Sequence, residues 1–196
     1  IVEKLHPNSS TEVLKELLLD ECREIWDTSS KKEFSGILKK LQQGSVLMGD
    51  FVVISKGMVV KNRKEHLRSC PKPKDLPFVL GNSLQRYVVN YDNYTNYNEL
   101  TIVGGTKDLS KHIRTPRLLV RRTGDIICVA YSSNQELIES TVYILTSHMI
   151  DLKYLLGVLN SKLLTFYLKQ KLLTNIQGFP QVLMGQLQQL PIATMA

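Results

Sequence analysis

The sequence predicts an α+β fold in which helices flank a twisted, mixed β-sheet. Apolar residues recur at the helical period near both ends of the chain and at a period of two through its middle, where Gly, Pro, Asn and Asp clusters separate the segments. The 196 residues, 43% of them hydrophobic, suffice for one well-cored domain or two small ones. We therefore expect an N-terminal helical lead-in, a β-rich body and a C-terminal helix packed on the sheet.

Two amphipathic helices are predicted at the start of the chain. In residues 11–26 the apolar positions follow a 3.6-residue period, and residues 31–43 repeat the pattern until Gly44 ends the helix. Two helices of this length cannot close a core by themselves. We therefore interpret residues 1–44 as a helical linker and residues 45–196 as the folded domain.

The chain begins with Ile1 and not with methionine. We interpret it as part of a longer protein, in which the linker joins a second domain. No signal peptide is evident, so a cytoplasmic location is expected.

Strands are predicted through the middle of the chain. From Val46 onward the apolar residues alternate, as is typical of strands that bury one face. A hairpin is predicted through the turn Thr123-Gly124-Asp125. The predicted strands cover residues 51–54, 57–60, 78–80, 86–89, 100–103, 118–120, 126–131 and 141–145.

A long apolar helix is predicted for residues 151–171, followed by a last turn over residues 184–190 that Pro191 ends. Lysines interrupt the apolar run of this helix, and each of them would be costly to bury in a bilayer. We therefore expect a helix that packs on the protein core, and no membrane partner.

The positive charge of the chain is concentrated in two segments. Lys and Arg number 25 against 18 Asp and Glu, a net charge of +7. Residues 56–86 carry eight basic and two acidic side chains, and residues 107–122 carry six basic and one acidic. Two basic segments within one sheet would form a positive surface and favour a polyanionic partner. The alternative is a set of scattered, solvated cations.

Motifs for several common chemistries are absent from the sequence. Gly104-Gly105 is the only glycine pair, and no glycine-rich nucleotide-binding loop occurs. Cys22, Cys70 and Cys128 lack the spacing of a zinc site, and the four histidines stand apart from any catalytic pattern. We expect reduced, structural cysteines, no cofactor or metal in this chain, and a binding surface without a reaction centre.

Five stretches, in order along the chain, resemble segments of one family. They are LMGDFVVISKGMVVKN, LPFVLGNSLQRYVV, TPRLLVRRTGDIICVAY, YLLGVLNSKLLTFYL and LMGQLQQLPI. The Asn-Ser-Lys helix and the Leu-Pro-Ile ending in the last two are the most specific. From about Phe34 to Ile192 the sequence resembles the TaqI-like C-terminal specificity domain, the target-recognition module that follows the catalytic domain in many adenine-specific DNA methyltransferases and fused type II restriction-modification enzymes.

This resemblance implies sequence-specific binding of double-stranded DNA. It also implies a covalently linked catalytic domain in the parent protein, which would bind S-adenosylmethionine and methylate the DNA or also cleave it. Where the family often has Gly-x-x-Thr-Gly-Lys-Asn, this chain has GMVVKN from Gly57, without the threonine and the second glycine. The conformation of the loop at Lys61 and Asn62 is therefore left open.

The basic segments and the resemblance together divide the candidate DNA-binding residues into two groups. Phosphate contacts that set the register of the duplex are expected from Lys56, Lys64, Arg114 and Arg117. Groove contacts are expected from Lys61, Asn62, Arg63, Arg86 and Arg121. The Tyr87 side chain is expected either to support Arg86 or to touch the DNA backbone.

Adjacent side chains of a strand point to opposite faces of its sheet. We therefore expect Arg121 on a face that meets DNA and Arg122 elsewhere, with the alternative that one of them pairs with Asp125. For Asn160 and Ser161 we expect a role in packing and helix capping.

Two rival functions are compatible with the charge. A basic module that binds an acidic protein partner would bind without regard to nucleic-acid type. A metal-dependent nuclease would need clustered carboxylates, which the separated acidic residues of the chain do not provide.

Overall fold

The computed structural model describes residues 32–173 and 180–193. By its contacts the chain divides into two units, Ile1–Gly44 and Ser45–Ala196. The predicted helix over residues 11–26 lies outside the described residues. The second predicted helix is confirmed as α1 (Lys32–Gln42).

The unit that begins at Ser45 combines short strands with short helices, which confirms the α+β class. Its strands are β1 (Ser45–Leu47), β2 (Val53–Lys56), β3 (Val59–Val60), β4 (Leu76–Val79), β5 (Leu84–Gln85), β6 (Val88–Val89), β7 (Tyr94–Thr95), β8 (Ile102–Gly104), β9 (Arg117–Arg121), β10 (Val129–Ser132), β11 (Leu137–Ile138), β12 (Val142–Thr146) and β13 (Pro191–Ala193). Its helices are α2 (Arg63–His66), α3 (Leu109–Ile113), α4 (Leu152–Leu159), α5 (Lys162–Tyr167) and α6 (Met184–Gln188), with a π-helical segment at Leu168–Leu172.

None of the helices in the described ranges is long and apolar enough to cross a bilayer.

A four-stranded antiparallel sheet, in the order β10-β9-β12-β2, forms the centre of this unit. The predicted hairpin is confirmed as β9 and β10, in which Val120 lies opposite Val129. Smaller sheets surround it, and β11 runs parallel to β4, which makes the set of sheets mixed. Strand β1 pairs with β13, so the two ends of the unit are joined.

One face of the central sheet is covered by a buried apolar cluster. Leu119, Ala130 and Ile144 are cross-strand partners, so their side chains lie on the same face, and all three are buried. The cluster also contains Val79, Leu84, Cys128, Ile138 and Val142.

The C-terminal helix is broken, which corrects the prediction of one helix over residues 151–171. Helix α4 ends at Leu159 with Asn160 as its C-cap. Helix α5 follows with Ser161 as its N-cap, whose Oγ accepts a hydrogen bond from Leu164 N at 3.2 Å. The buried Asn160 side chain binds β10: Oδ1 accepts from Val129 N at 3.0 Å, and Nδ2 donates to Val129 O at 2.9 Å. The predicted packing and capping role is confirmed.

His112 in α3 is buried and held in its neutral form. Its Nε2 donates to Thr106 O at 2.8 Å, while Nδ1 accepts from Ile138 N at 3.1 Å. Burial lowers the pKa of His112, the hydrogen bond to Thr106 raises it, and the charge of Arg117 lowers it further. A proton on Nδ1 would also break the bond from Ile138, so the fold opposes protonation.

Replacing Asn160 with Ala should destabilise the fold by about 1–3 kcal/mol, because the buried Val129 N–H loses its acceptor and finds no water. Urea unfolding of the variant measures this change in free energy. The exposed Asn82→Ala is the matched control and should leave the free energy of unfolding within about 0.5 kcal/mol of the wild-type value. Equal stabilities of the two variants would contradict the role of Asn160.

Folding stability should fall as the pH drops below about 6.5, the ordinary pKa of histidine. Because the pKa of His112 is lowered in the folded state, the unfolded state takes up the proton first and is favoured by acid. His112→Gln should be less stable at neutral pH and should lose this part of the pH dependence. Urea unfolding across a pH series measures both, with the exposed His148→Gln as control. An unchanged pH dependence in His112→Gln would contradict the account.

Candidate functional site

Strand β9 brings two adjacent arginines to one end of the central sheet. At this end β9 finishes at Arg121 opposite Val142, the first residue of β12, and we call it the arginine end. The turn beyond it is fixed by backbone hydrogen bonds, since Arg122 N donates to Thr141 O and Val182 N donates to Arg122 O, both at 2.8 Å. Both arginines are half-buried and start from fixed backbone positions.

Three arginines at this end have no acidic partner among the described residues. Arg121, Arg122 and Arg86 form no ion pair within residues 32–173 and 180–193, and the Nε of each is buried without a hydrogen-bond acceptor there. The alternative of a pair with Asp125 is wrong, because Lys169 takes that carboxylate and lowers its pKa. Half-buried guanidinium groups without an anion favour binding of an external one.

Arg86 and Arg121 lie close together around Cys128. Burial raises the pKa of the Cys128 thiol, while the charges of Arg121 and Arg86 both act to lower it. Cys128 lies across from Arg121, whose backbone N donates to Cys128 O at 3.0 Å, and Cys128 Sγ contacts Leu84 O at 3.8 Å. The segment carrying Arg86 therefore passes over the sheet beside Arg121.

The turn between β5 and β6 presents Arg86, Tyr87 and Val88 at its tip. The pairing of Gln85 with Val88 closes the turn, and Tyr87 N donates to Val129 O at 2.8 Å. Tyr87 and Val88 remain 53% and 50% exposed. The tip therefore places apolar surface next to an unpaired guanidinium.

The basic loop between β3 and α2 is linked to the arginine end through Glu139. Asn62 adopts the left-handed conformation at φ 49°, which asparagine tolerates better than most residues, so the turn forms without a second glycine. Arg63 Nη1 lies 3.4 Å from Glu139 Oε1, and Glu139 Oε2 accepts from Thr141 N at 2.8 Å. A shallow depression of about 470 Å³ lies here, lined by Val60, Asn62, Arg63, Lys64, Glu65 and Glu139.

The structure brings other predicted lysines to the same end. Lys61 is exposed on the basic loop, and Lys64 is exposed on α2 directly after it. Lys56 is the last residue of the edge strand β2 and is half-buried opposite Tyr143, so it also lies at the arginine end. Because Tyr143 pairs with Val120, the neighbour of Arg121, Lys56 is on the sheet face opposite to Arg121.

Arg117 is not available to DNA, which corrects its predicted contact with phosphate. Its side chain is 0% exposed, and Nη2 pairs with Glu136 Oε2 at 2.8 Å while Nη1 donates to Arg114 O at 2.6 Å. Glu136 also accepts hydrogen bonds from Ser132 and Tyr91. Arg117 thus belongs to a buried network that joins β9 and β10 to the segments around them.

Arg114 is exposed, but it lies beyond the other end of β9, beside His148. From Arg117 to Arg121 the strand runs about 13 Å. The structure therefore does not bring Arg114 together with the residues of the arginine end.

Arg121 does not lie on an open sheet face, and its predicted contact with DNA stays a prediction. The face to which Arg121 belongs is covered by the cluster around Leu119, so an arginine on it reaches solvent only where the strand ends. Arg122 lies at the same end, although strand alternation placed it elsewhere. The sequence signal for this is that Arg122 comes directly before the predicted turn Thr123-Gly124-Asp125, where the strand ends.

Comparison with known proteins identifies a matching family and a solved structure of similar fold. The profile of the TaqI-like C-terminal specificity domain matches residues 76–192, a range that contains Arg86, Tyr87 and Arg121. The fold is similar to that of the HsdS subunit from Thermoanaerobacter tengcongensis, with a TM-score of 0.52, 12% identity, and coverage of 92% of this chain and 42% of that subunit. The chain thus spans about two fifths of the subunit's length. No curated protein matches the sequence.

Arg117→Gln and Arg121→Gln should have contrasting effects on stability. The two arginines lie on one strand and one face, but removing Arg117 leaves Glu136 buried and uncompensated, which should cost about 3–5 kcal/mol. Removing the unpaired Arg121 should change the free energy of unfolding by less than about 1 kcal/mol. Urea unfolding of both variants measures the difference, and similar losses would contradict the assignment.

Proposed function

The chain belongs to the TaqI-like C-terminal specificity domain family, and we propose that its arginine end binds double-stranded DNA and recognises a target sequence. The observation that supports this most is the group of three guanidinium groups, on Arg86, Arg121 and Arg122, that have no acidic partner among residues 32–173 and 180–193. Phosphates and the O6 and N7 atoms of guanine are acceptors that match such groups.

The environment of each cation indicates its proposed role. Arg86 and Arg121 are half-buried on fixed backbone, so their geometry suits contacts with base edges, which demand defined directions. Arg63 is also held in place, since Glu139 pairs with its Nη1, and its other nitrogens form no ion pair within the described residues. Lys61 and Asn62 stay groove candidates beside it.

Phosphate contacts are proposed for the exposed or edge lysines, Lys56 and Lys64, because a flexible point charge suits a partner that carries no sequence information. Arg122 is added to the proposed phosphate contacts, since it lies beside Arg121 where the strand leaves the sheet.

We further propose that the parent protein supplies the chemistry from another part of its chain. Residues 1–44 would be the linker to a catalytic domain of a restriction-modification enzyme, and that domain would bind S-adenosylmethionine and methylate adenine, with or without cleavage of the DNA. In this proposal the present chain holds the duplex in register, no cofactor binds to it, and the protein works in the cytoplasm.

Selection of duplexes from a randomised library should enrich one sequence motif. A plot of the log of the binding constant against the log of the salt concentration should then have a slope of roughly −0.9 for each phosphate contacted. If the chain binds an acidic protein instead of DNA, it should bind no duplex at any salt concentration. That result would overturn the proposal. Salt-dependent binding without enrichment would contradict sequence recognition by this chain.

Three variants separate the roles in the same assay. Arg121→Ala should cost about 1–3 kcal/mol of binding free energy and relax the preference at one base pair. Lys64→Ala should weaken binding to all sequences alike and reduce the slope of log binding constant against log salt concentration by about 1. Arg114→Ala, at the other end of β9, is the matched control and should change neither. An effect of Arg114→Ala as large as that of Arg121→Ala would place the interface elsewhere.

A further inference from the structure

Tyr87 adopts a backbone conformation that aromatic residues rarely take. Its φ is 74°, in the left-handed region that glycine and asparagine favour, and a bulky side chain there is an outlier. Such strain persists only where the surrounding structure imposes it. Glycine at this position would adopt the same φ without strain. The presence of a tyrosine is therefore not explained by the conformational preference of the turn.

Contacts behind the turn impose this conformation. Tyr87 N donates to Val129 O at 2.8 Å, and Tyr87 forms a parallel bridge with Ala130. The same Val129 carbonyl also accepts from Asn160 Nδ2 at 2.9 Å, so its position is fixed from the helix side. The backbone of Tyr87 is therefore held tightly against β10.

The side chains of the tip, by contrast, are open to solvent. Tyr87 and Val88 are 53% and 50% exposed, and no hydrogen bond of the Tyr87 hydroxyl is found in the described part of the chain. A strained residue with a half-exposed ring contributes little to folding. Next to it stand Arg86 and Arg121, which form no ion pair in the part of the chain that the structure describes.

An exposed apolar tip on a rigid backbone, surrounded by cations, suits one kind of partner. Proteins that bend a duplex insert apolar side chains between neighbouring base pairs while cations hold the adjacent phosphates. An aromatic ring also stacks on any base, whatever its identity. An apolar protein surface would leave the guanidinium groups without anions.

We propose that Tyr87 and Val88 form an apolar wedge that partly unstacks one base-pair step of the bound duplex. This inference rests on the proposed function, since it requires DNA at the arginine end. The strain at Tyr87 holds the ring outward before DNA arrives, so little ordering is needed on binding. Recognition would then include how easily the step deforms, in addition to base-edge contacts.

The wedge is tested with duplexes that carry 2-aminopurine at each position of the selected sequence in turn, bound to the full 196-residue chain at saturating concentration. Its fluorescence rises when it loses stacking. We expect a several-fold rise at one step with the wild-type chain and with Tyr87→Phe, which keeps the ring. Sequence-specific binding with no rise at any step would overturn the wedge and leave the proposed function intact, whereas no duplex binding at all would overturn both.

Tyr87→Gly separates the wedge from the fold. Glycine relaxes the φ of 74°, so the thermal midpoint of the variant should equal or exceed that of the wild type, while the fluorescence rise should be lost. If the tyrosine had a structural role instead, the variant would have a lower thermal midpoint, and the fluorescence of the duplex that it still binds would rise as with the wild type. That result would contradict the proposal.

Val88→Ser has a matched control in Val53→Ser. Both valines are exposed on short strands, at 50% and 65%, but Val53 lies at the end of the sheet remote from Arg121. Val88→Ser should reduce the fluorescence rise and Val53→Ser should leave it unchanged. Equal effects of the two would show that loss of an exposed valine, and not the position of the tip, causes the change.

Discussion

The bidentate contact of the Asn160 side chain with the backbone of Val129 organises the site. It takes up the amide at the start of β10 and breaks the C-terminal helix at that point. Asn160 Nδ2 and Tyr87 N both donate to the carbonyl of Val129, so the contact also fixes the turn that carries Arg86. A helix, a strand and a basic turn far apart in sequence thus meet at the Val129 carbonyl, which holds the turn with Arg86 and Tyr87.

The two arginines of β9 show how burial divides residues of one type between structure and binding. Arg117 and Arg121 share a face of the sheet four residues apart. At Arg117 the face is covered, and Glu136 with its hydrogen bonds offsets the cost of burying the charge. At Arg121 the strand ends, the acid nearest in sequence is taken by Lys169, and the guanidinium is left for an external anion.

The sequence predicts the elements of this fold better than it predicts their meeting points. The hairpin of β9 and β10 and the helix α1 follow from short-range periodicity and turn residues. The break at Asn160 does not, because apolar residues continue on both sides of it and the cause is a contact with a distant strand. Likewise charge counting cannot distinguish Arg117 from Arg121, since the pairing of Arg117 with Glu136 is a tertiary contact.

The most direct test of the central claim is an NMR titration of the chain with a duplex, following the Nε–Hε signals of its arginines. We expect the signals of Arg86, Arg121 and Arg122 to shift on binding, because their half-buried guanidinium groups form no ion pair within the described residues. The signal of Arg117 should stay unchanged, because its side chain is fully buried and paired with Glu136. Shifts confined to Arg114 and its neighbours, with those three unmoved, would contradict the assignment of the arginine end as the DNA-binding surface.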